Sequence, residues 1–244
     1  MNNILVEKGE INIDRSKDLE VDGNLTAKAT FNEHDLARLI SEKNNILKNK
    51  INLKANITNK FKLKFDNTLK LIDYSLNIEG KINESNIKLS QPLVSTILDQ
   101  DINNLFINNS NIKYNFSKKN NNYLLLKGFY KINNLEYQKF KLENNNKNLI
   151  SKYDLDIDFI DSLNFKILNY KKSNKKIAKI TTKIELTKKF IMINELKYKA
   201  GNNLIILKDL KFDHDKKIKS FESIKIKTSE GNKEKNSFDI KFGD

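Results

Sequence analysis

Apolar and polar residues alternate at period two along most of this chain, the pattern of strands that keep one face dry and the other wet. The clearest runs are Leu19-Glu-Val21-Asp-Gly-Asn-Leu25-Thr-Ala27, Ile51-Asn-Leu53-Lys-Ala55-Asn-Ile57 and Phe61-Lys-Leu63-Lys-Phe65. Tyr74-Ser-Leu76-Asn-Ile78, Ile112-Lys-Tyr114-Asn-Phe116, Tyr153-Asp-Leu155-Asp-Ile157-Asp-Phe159 and Phe238-Asp-Ile240-Lys-Phe242 follow the same rule. Between the runs stand Asn clusters at 44–45, 108–109, 120–122, 144–146 and 202–203. Asn tolerates the left-handed backbone that tight turns require, so these clusters are read as hairpin turns. Roughly 14 to 16 strands with short connections predict a long antiparallel meander.

Two segments break the alternation. Residues 31–40 carry Leu36, Leu39 and Ile40 at helical spacing behind Asn32, a natural N-cap. Residues 91–106 open with Pro92, suited to a first helical turn, and repeat Val94, Ile97, Leu98, Ile102 and Leu105 at steps of three and four. One or two short helices or irregular crossovers are expected there. The whole of 1–244 is read as one elongated segment, with a possible subdivision near 91–111.

A weak repeat runs through the C-terminal part. Ile193-Asn-Glu-Leu-Lys-Tyr198, Leu207-Lys-Asp-Leu-Lys-Phe212 and Phe221-Glu-Ser-Ile-Lys-Ile226 begin 14 residues apart, and Lys235-Asn-Ser-Phe-Asp-Ile240 continues the series. Ile132-Asn-Asn-Leu-Glu-Tyr137 and Ile160-Asp-Ser-Leu-Asn-Phe165 are out-of-phase copies. A step of three inside a period of two marks a bulge or tight turn, and such a unit is one strand plus one turn.

The apolar faces need an occupant. Little helix is predicted to cover them, and one closed barrel would use about eight strands. The reading is therefore an all-β, curled and twisted sheet, a β-groove with an apolar trough on the order of 70 Å long. Acyl chains suit such a trough, since each buried methylene is worth about 0.8 kcal/mol. The residues expected to face lipid are Leu53, Ala55, Ile57, Leu63, Phe65, Leu76, Ile78, Tyr114, Phe116, Leu155, Ile157, Phe159, Phe165, Ile167, Ile224 and Ile226. The rival reading is a structural or adhesive β-sandwich or solenoid whose same residues form a dry core without a lipid ligand.

Composition changes this picture only in part. The 244 residues carry 45 Lys+Arg against 31 Asp+Glu, a formal net charge of +14. Arg15 and Arg38 are the sole arginines, and Lys, Asn and Ile dominate as they do in AT-rich coding sequences. Arg is the main residue for reading bases and clamping phosphates, so no specific nucleic-acid partner is expected. The absence of Cys excludes disulfides, zinc ribbons and thiol catalysis, and two histidines, His34 and His214, leave little for metal or triad chemistry. Asp154, Asp156 and Asp158 share one strand side, but such rows are ordinarily wet surface. Asp213-His214-Asp215 reads as a turn. No phosphate loop, nucleophile elbow or zinc-protease motif is present. No cofactor or metal is expected, and the chain is not read as an enzyme.

The serial alternating strands, the helix after Phe31 and the stretch from Phe159-Ile-Asp-Ser-Leu-Asn-Phe-Lys-Ile-Leu-Asn-Tyr170 through Phe242 carry a resemblance. The chain resembles AsmA-like bacterial envelope proteins of the TamB and YhdP type, in the repeating β-groove, bridge-like lipid-transfer class. That resemblance implies a periplasmic groove carrying phospholipid and anchored at the inner membrane through a segment absent here, with other envelope or inner-membrane proteins as partners. Family members are much longer and carry an N-terminal anchor, so this chain is expected to be a fragment.

Overall fold

The alternating runs become strands in a computed structural model, which describes residues 3–32, 50–118, 122–173, 176–213, 215, 217–230 and 233–241. The protein is all-β, an antiparallel meander with a single 3-10 turn at Lys166–Leu168 among the described residues. It divides into two compact units, 1–92 with 102–133 and 93–101 with 134–244.

The first unit holds β1 (Asn3–Asp14), β2 (Leu19–Phe31), β3 (Lys50–Phe65), β4 (Leu71–Leu93), β5 (Ile102–Ser117) and β6 (Asn122–Ile132), ordered in the sheet as in the chain. The second holds β7 (Gln138–Lys147), β8 (Ile150–Phe159), β9 (Leu163–Phe165), β10 (Tyr170–Lys172), β11 (Ala178–Leu186), β12 (Ile191–Ala200) and β13 (Asn203–Phe212). It continues with β14 (Ile218–Ser220), β15 (Ser223–Glu230) and β16 (Lys233–Lys241). Its sheet runs β7-β8-β11-β12-β13-β15-β16, with β14 beside β13, while β9 and β10 form a separate hairpin. Within its unit β1 pairs with β2 alone, and β16 with β15 alone, so neither unit closes into a barrel.

Register keeps each strand's apolar side on one face. Val21, Leu63 and Tyr74 stand opposite one another across β2, β3 and β4, and one-residue shifts at Glu7 and Asn83 absorb the places where alternation slips. Asn109, at φ 47°, does the same in β5, and Gly128 opposite lets the backbone close onto Ser110: a Cβ there would stand 2.0 Å from the Ser110 Oγ. In the C-terminal repeat the step of three is a bulge as expected. Asn194 is skipped in the β11–β12 register, and Asp209 at φ 50° faces it from β13, so Ile193 stays opposite Leu210 and Leu196 opposite Leu207.

Several local expectations are corrected. Residues 91–106 take the irregular crossover and not the helix of the two forms expected: Gln91 to Leu93 finish β4, an irregular turn follows, and Ile102 opens β5. The turn is held from outside, with Leu98 bridging Leu163 and the Ile97 carbonyl accepting from Asn164 N–H at 2.9 Å, so tertiary pairing overrides the helical spacing. Asn108–Asn109 and Asn144 to Asn146 lie inside strands. Asn144 Nδ2 donates to the Lys152 carbonyl at 3.1 Å, and the left-handed hairpin turn falls to Asn148 and Leu149. The copy at 160–165 is no step of the sheet, since Leu163–Phe165 belongs to the separate hairpin. The helix expected after Phe31 lies outside the described residues beyond Asn32.

Candidate functional site

Five rows of side chains cross the first unit on one face: Ile13-Val21-Leu63-Tyr74, Ile11-Gly23-Phe61-Leu76, Gly9-Leu25-Asn59-Ile78, Val6-Ala27-Ile57-Gly80 and Ile4-Ala29-Ala55-Ile82. Asn59 is their one polar member. Tyr74 stacks on Phe116 at 5.4 Å and Tyr114 on Phe116 at 6.2 Å, carrying the face onto β5. Every described element of this unit belongs to the sheet itself, so no second layer covers the face among the described residues. Most of its large apolar side chains remain half-buried, and Ile4, Val6, Ile11 and Ile13 are half exposed or more. Ala27, Ala29 and Ala55 are buried.

The second unit repeats the arrangement over seven strands. One row reads Phe140-Ile157-Ile180-Tyr198-Ile205-Ile226-Phe238, and its neighbour reads Leu142-Leu155-Thr182-Leu196-Leu207-Ile224-Ile240. Six inter-strand spacings make each row about 29 Å long, roughly twice the 15 Å that one acyl chain takes in a bilayer leaflet. Thr182 is the polar exception, and its buried Oγ1 has no hydrogen-bond partner among the described residues, as is true of Asn59 Oδ1 in the first unit.

Here part of the face is covered. The β9–β10 hairpin meets Tyr198: Phe165 lies edge-on at 5.7 Å, Tyr170 at 6.3 Å, and the two tyrosine hydroxyls are 2.9 Å apart. Burial pushes both phenol pKa values up. Asn236 Nδ2 donates to the Leu168 carbonyl at 2.8 Å, tying the turn to β16. At the hairpin base Lys172, 2% exposed, donates to the carbonyls of Ile160, Asp161 and Ser173 at 2.9, 2.6 and 3.1 Å. Burial pulls this amine down to about 8, opposed by the charge of Asp161. Gln100 to Asp161, Ser162 to Asp99 and Lys171 to Asp99 fasten the 93–101 turn to the hairpin.

Of the residues expected to face lipid, Leu53, Ala55, Ile57, Leu63, Phe65, Leu76, Ile78, Tyr114 and Phe116 lie on the apolar face of the first unit. Leu155, Ile157, Phe159, Ile224 and Ile226 lie on that of the second. Phe165 sits on the covering hairpin instead, and Ile167 is in the 3-10 turn, its side chain outside the described residues. The sequence reading missed Tyr170, Lys172 and Tyr198, whose roles rest on contacts between distant positions.

The opposite faces are polar. In the first unit lysines and carboxylates interleave, pairing Lys62 with Glu20, Lys64 with Asp18 and Glu20, Lys54 with Glu84 and Lys113 with Glu79. Glu20 and Glu79 are held below the usual carboxylate range, first by these hydrogen bonds. Depressions of about 440 and 630 Å3 open among Glu20, Lys62 and Lys64 and among Lys60, Glu79 and Lys113. Asp154 and Asp158 face Lys183 and Lys179 across the β8–β11 pair, and Asp156 pairs with Lys179 at 3.3 Å. Asp213 accepts from Lys217 N–H at 2.9 Å in the expected turn, while His214 and His34 lie outside the described residues. Among the described residues no three His, Asp or Glu side chains gather as metal ligands, and no helix is long and apolar enough to cross a membrane.

The fold and its faces define a two-faced antiparallel meander. No family model matches this chain, and no curated protein or solved structure matches it.

Proposed function

We propose that the apolar faces bind lipid acyl chains and that the protein is a lipid-binding or lipid-transfer segment. The observation that carries this reading is the continuity of apolar rows across successive strands with side chains left half-buried or exposed. Apolar surface on that scale gains about 25 cal/mol for each Å2 covered, and a flexible chain can follow rows that cross the strands. Headgroups would stay at the wet margin. The mechanism is passive: chains slide along the rows, and gradients or partners set direction. Membership of the AsmA-like class belongs to the same proposal and rests on the sequence resemblance. So do a periplasmic location with an inner-membrane anchor and envelope or inner-membrane partners.

A second reading, a scaffold with a dry core, draws on one observation: the β9–β10 hairpin already fills part of the second unit's face. Native mass spectrometry of the chain purified from membranes, with uptake of a fluorescent phospholipid, decides between them. Lipid binding predicts co-purifying phospholipid and its loss in Leu155→Asp with Ile157→Asp, the strand signal in circular dichroism unchanged. Absence of both lipid and uptake, or collapse of the sheet in that variant, supports the dry core instead.

A further inference from the structure

The wet face of the second unit departs from the interleaved pattern. Across β12, β13, β15 and β16 one polar-side row reads Lys199-Leu204-Lys227-Ser237 and the next Lys197-Ile206-Lys225-Asp239, so one carboxylate stands at the edge of the patch, opposite Lys225. Four exposed lysines therefore flank two half-buried aliphatic side chains. Lys197, Lys199 and Lys225 form no ion pair among the described residues, although Lys62, Lys64, Lys54 and Lys113 of the first unit all do. Lys208 lies one step further along β13, opposite Glu195. A depression of about 560 Å3 opens here, lined by Lys197, Lys199, Leu204, Ile206 and Lys227 with the 201–203 turn at its end.

We propose that this patch docks the protein on an anionic lipid bilayer surface. Charge complementarity selects the partner, because clustered lysines are drawn to the negative potential of anionic headgroups, at about fivefold in partition per lysine. The apolar floor selects a bilayer over a free anion: Leu204 and Ile206 can enter the headgroup boundary while the lysine stems snorkel around them. Nucleic acid fits less well, because this face supplies neither the arginine forks nor an aromatic platform beside these lysines. The surface lies on the side of the sheet opposite the apolar rows, so it does not depend on their occupant.

The test is sedimentation of the full chain with phosphatidylcholine vesicles, with and without phosphatidylglycerol, at low and high salt. The expected result is binding to the anionic vesicles alone, reversed by salt, and weakened several hundredfold in Lys197→Gln, Lys199→Gln, Lys225→Gln and Lys227→Gln combined. A control combining Lys54→Gln, Lys60→Gln, Lys62→Gln and Lys81→Gln removes the same net charge from the first unit and is expected to lose far less. Circular dichroism of both variants confirms retained strand content. Equal losses in the two variants, equal binding to neutral vesicles, or tighter capture of a single-stranded oligonucleotide by the same four lysines would overturn the proposal. Fluorescent monomeric phospholipid uptake, measured without vesicles, reports on the apolar rows separately.

Discussion

Tyr74 and Tyr198 occupy comparable places, each in an apolar row flanked by aliphatic side chains, yet one is half-buried and the other only 3% exposed. The difference is cover. In the unit of β1–β6 every described element lies in the sheet, whereas in the unit of β7–β16 the chain leaves the meander after Phe159 and lays a hairpin against Tyr198. The polar sides differ too: carboxylates pair with Lys54, Lys62, Lys64 and Lys113 in the first unit, whereas Lys197, Lys199 and Lys225 of the second form no ion pair among the described residues, although Asp239 stands opposite Lys225 in register. Among the described residues, identical alternation thus produces an uncovered face in one unit and a partly covered one in the other, and hydropathy does not tell them apart.

The largest test compares the two tyrosines. Tyr198→Ala removes a buried aromatic and its hydroxyl partner, and is expected to cost about 3–5 kcal/mol. Tyr74→Ala, on the open face, is expected to cost about 1 kcal/mol. Urea titration followed by circular dichroism measures both, and equal costs would break the contrast.

A pH titration sharpens the role of the hairpin. The folded Lys172 pKa of about 8 lies below the unfolded value of 10.5, so the unfolded chain holds more protons between them. Stability should therefore rise with pH across that window, by up to about 3 kcal/mol for a full shift, and this gain is absent below pH 8. The raised pKa values of Tyr170 and Tyr198 act oppositely, their contribution being lost as pH climbs past the ordinary phenol value of 10.0. A rise followed by a fall is expected, and Lys172→Met should flatten the rise. An unchanged rise in that variant would assign it to other groups.

The smallest effects concern backbone fit. Gly128→Ala pushes a Cβ onto Ser110 and should cost about 1–3 kcal/mol by overpacking. Gly201→Ala meets open space but holds φ at +58°, and should cost about 1 kcal/mol from the left-handed strain alone. Thermal denaturation of the two variants ranks them; a reversed order would mean that the β5–β6 bulge relaxes freely.

Much of the fold was legible because strand alternation is local. Leu63, Leu76 and Leu155 announce their side of the sheet through their immediate neighbours, and the step of three in Ile193-Asn-Glu-Leu196 announces its bulge. The hairpin was not legible. Leu163-Asn-Phe165 alternates like any strand, and only contact with Tyr198, more than thirty residues on, makes it a cover. The helical alternative for 91–106 failed for the same reason, since its apolar spacing is helical while Leu98 and Ile97 are claimed by Leu163 and Asn164. Asn144 to Asn146 resembled a turn until Lys152 supplied an acceptor across the strand pair.

By itself the sequence determined which side of nearly every strand is dry, because side chains alternate with an invariant period of two. It also set a net charge of +14, most simply read as codon usage spread over wet faces. Where that charge concentrates was decided only by tertiary structure. Lys197 and Lys225 lie far apart in sequence and become members of one row through their shared neighbour Ile206, while the lysines of β3 are set beside the acids of β2 and β4. Cross-strand register joins positions that no local period relates, and with it come both the paired charges of one unit and the lysine patch of the other.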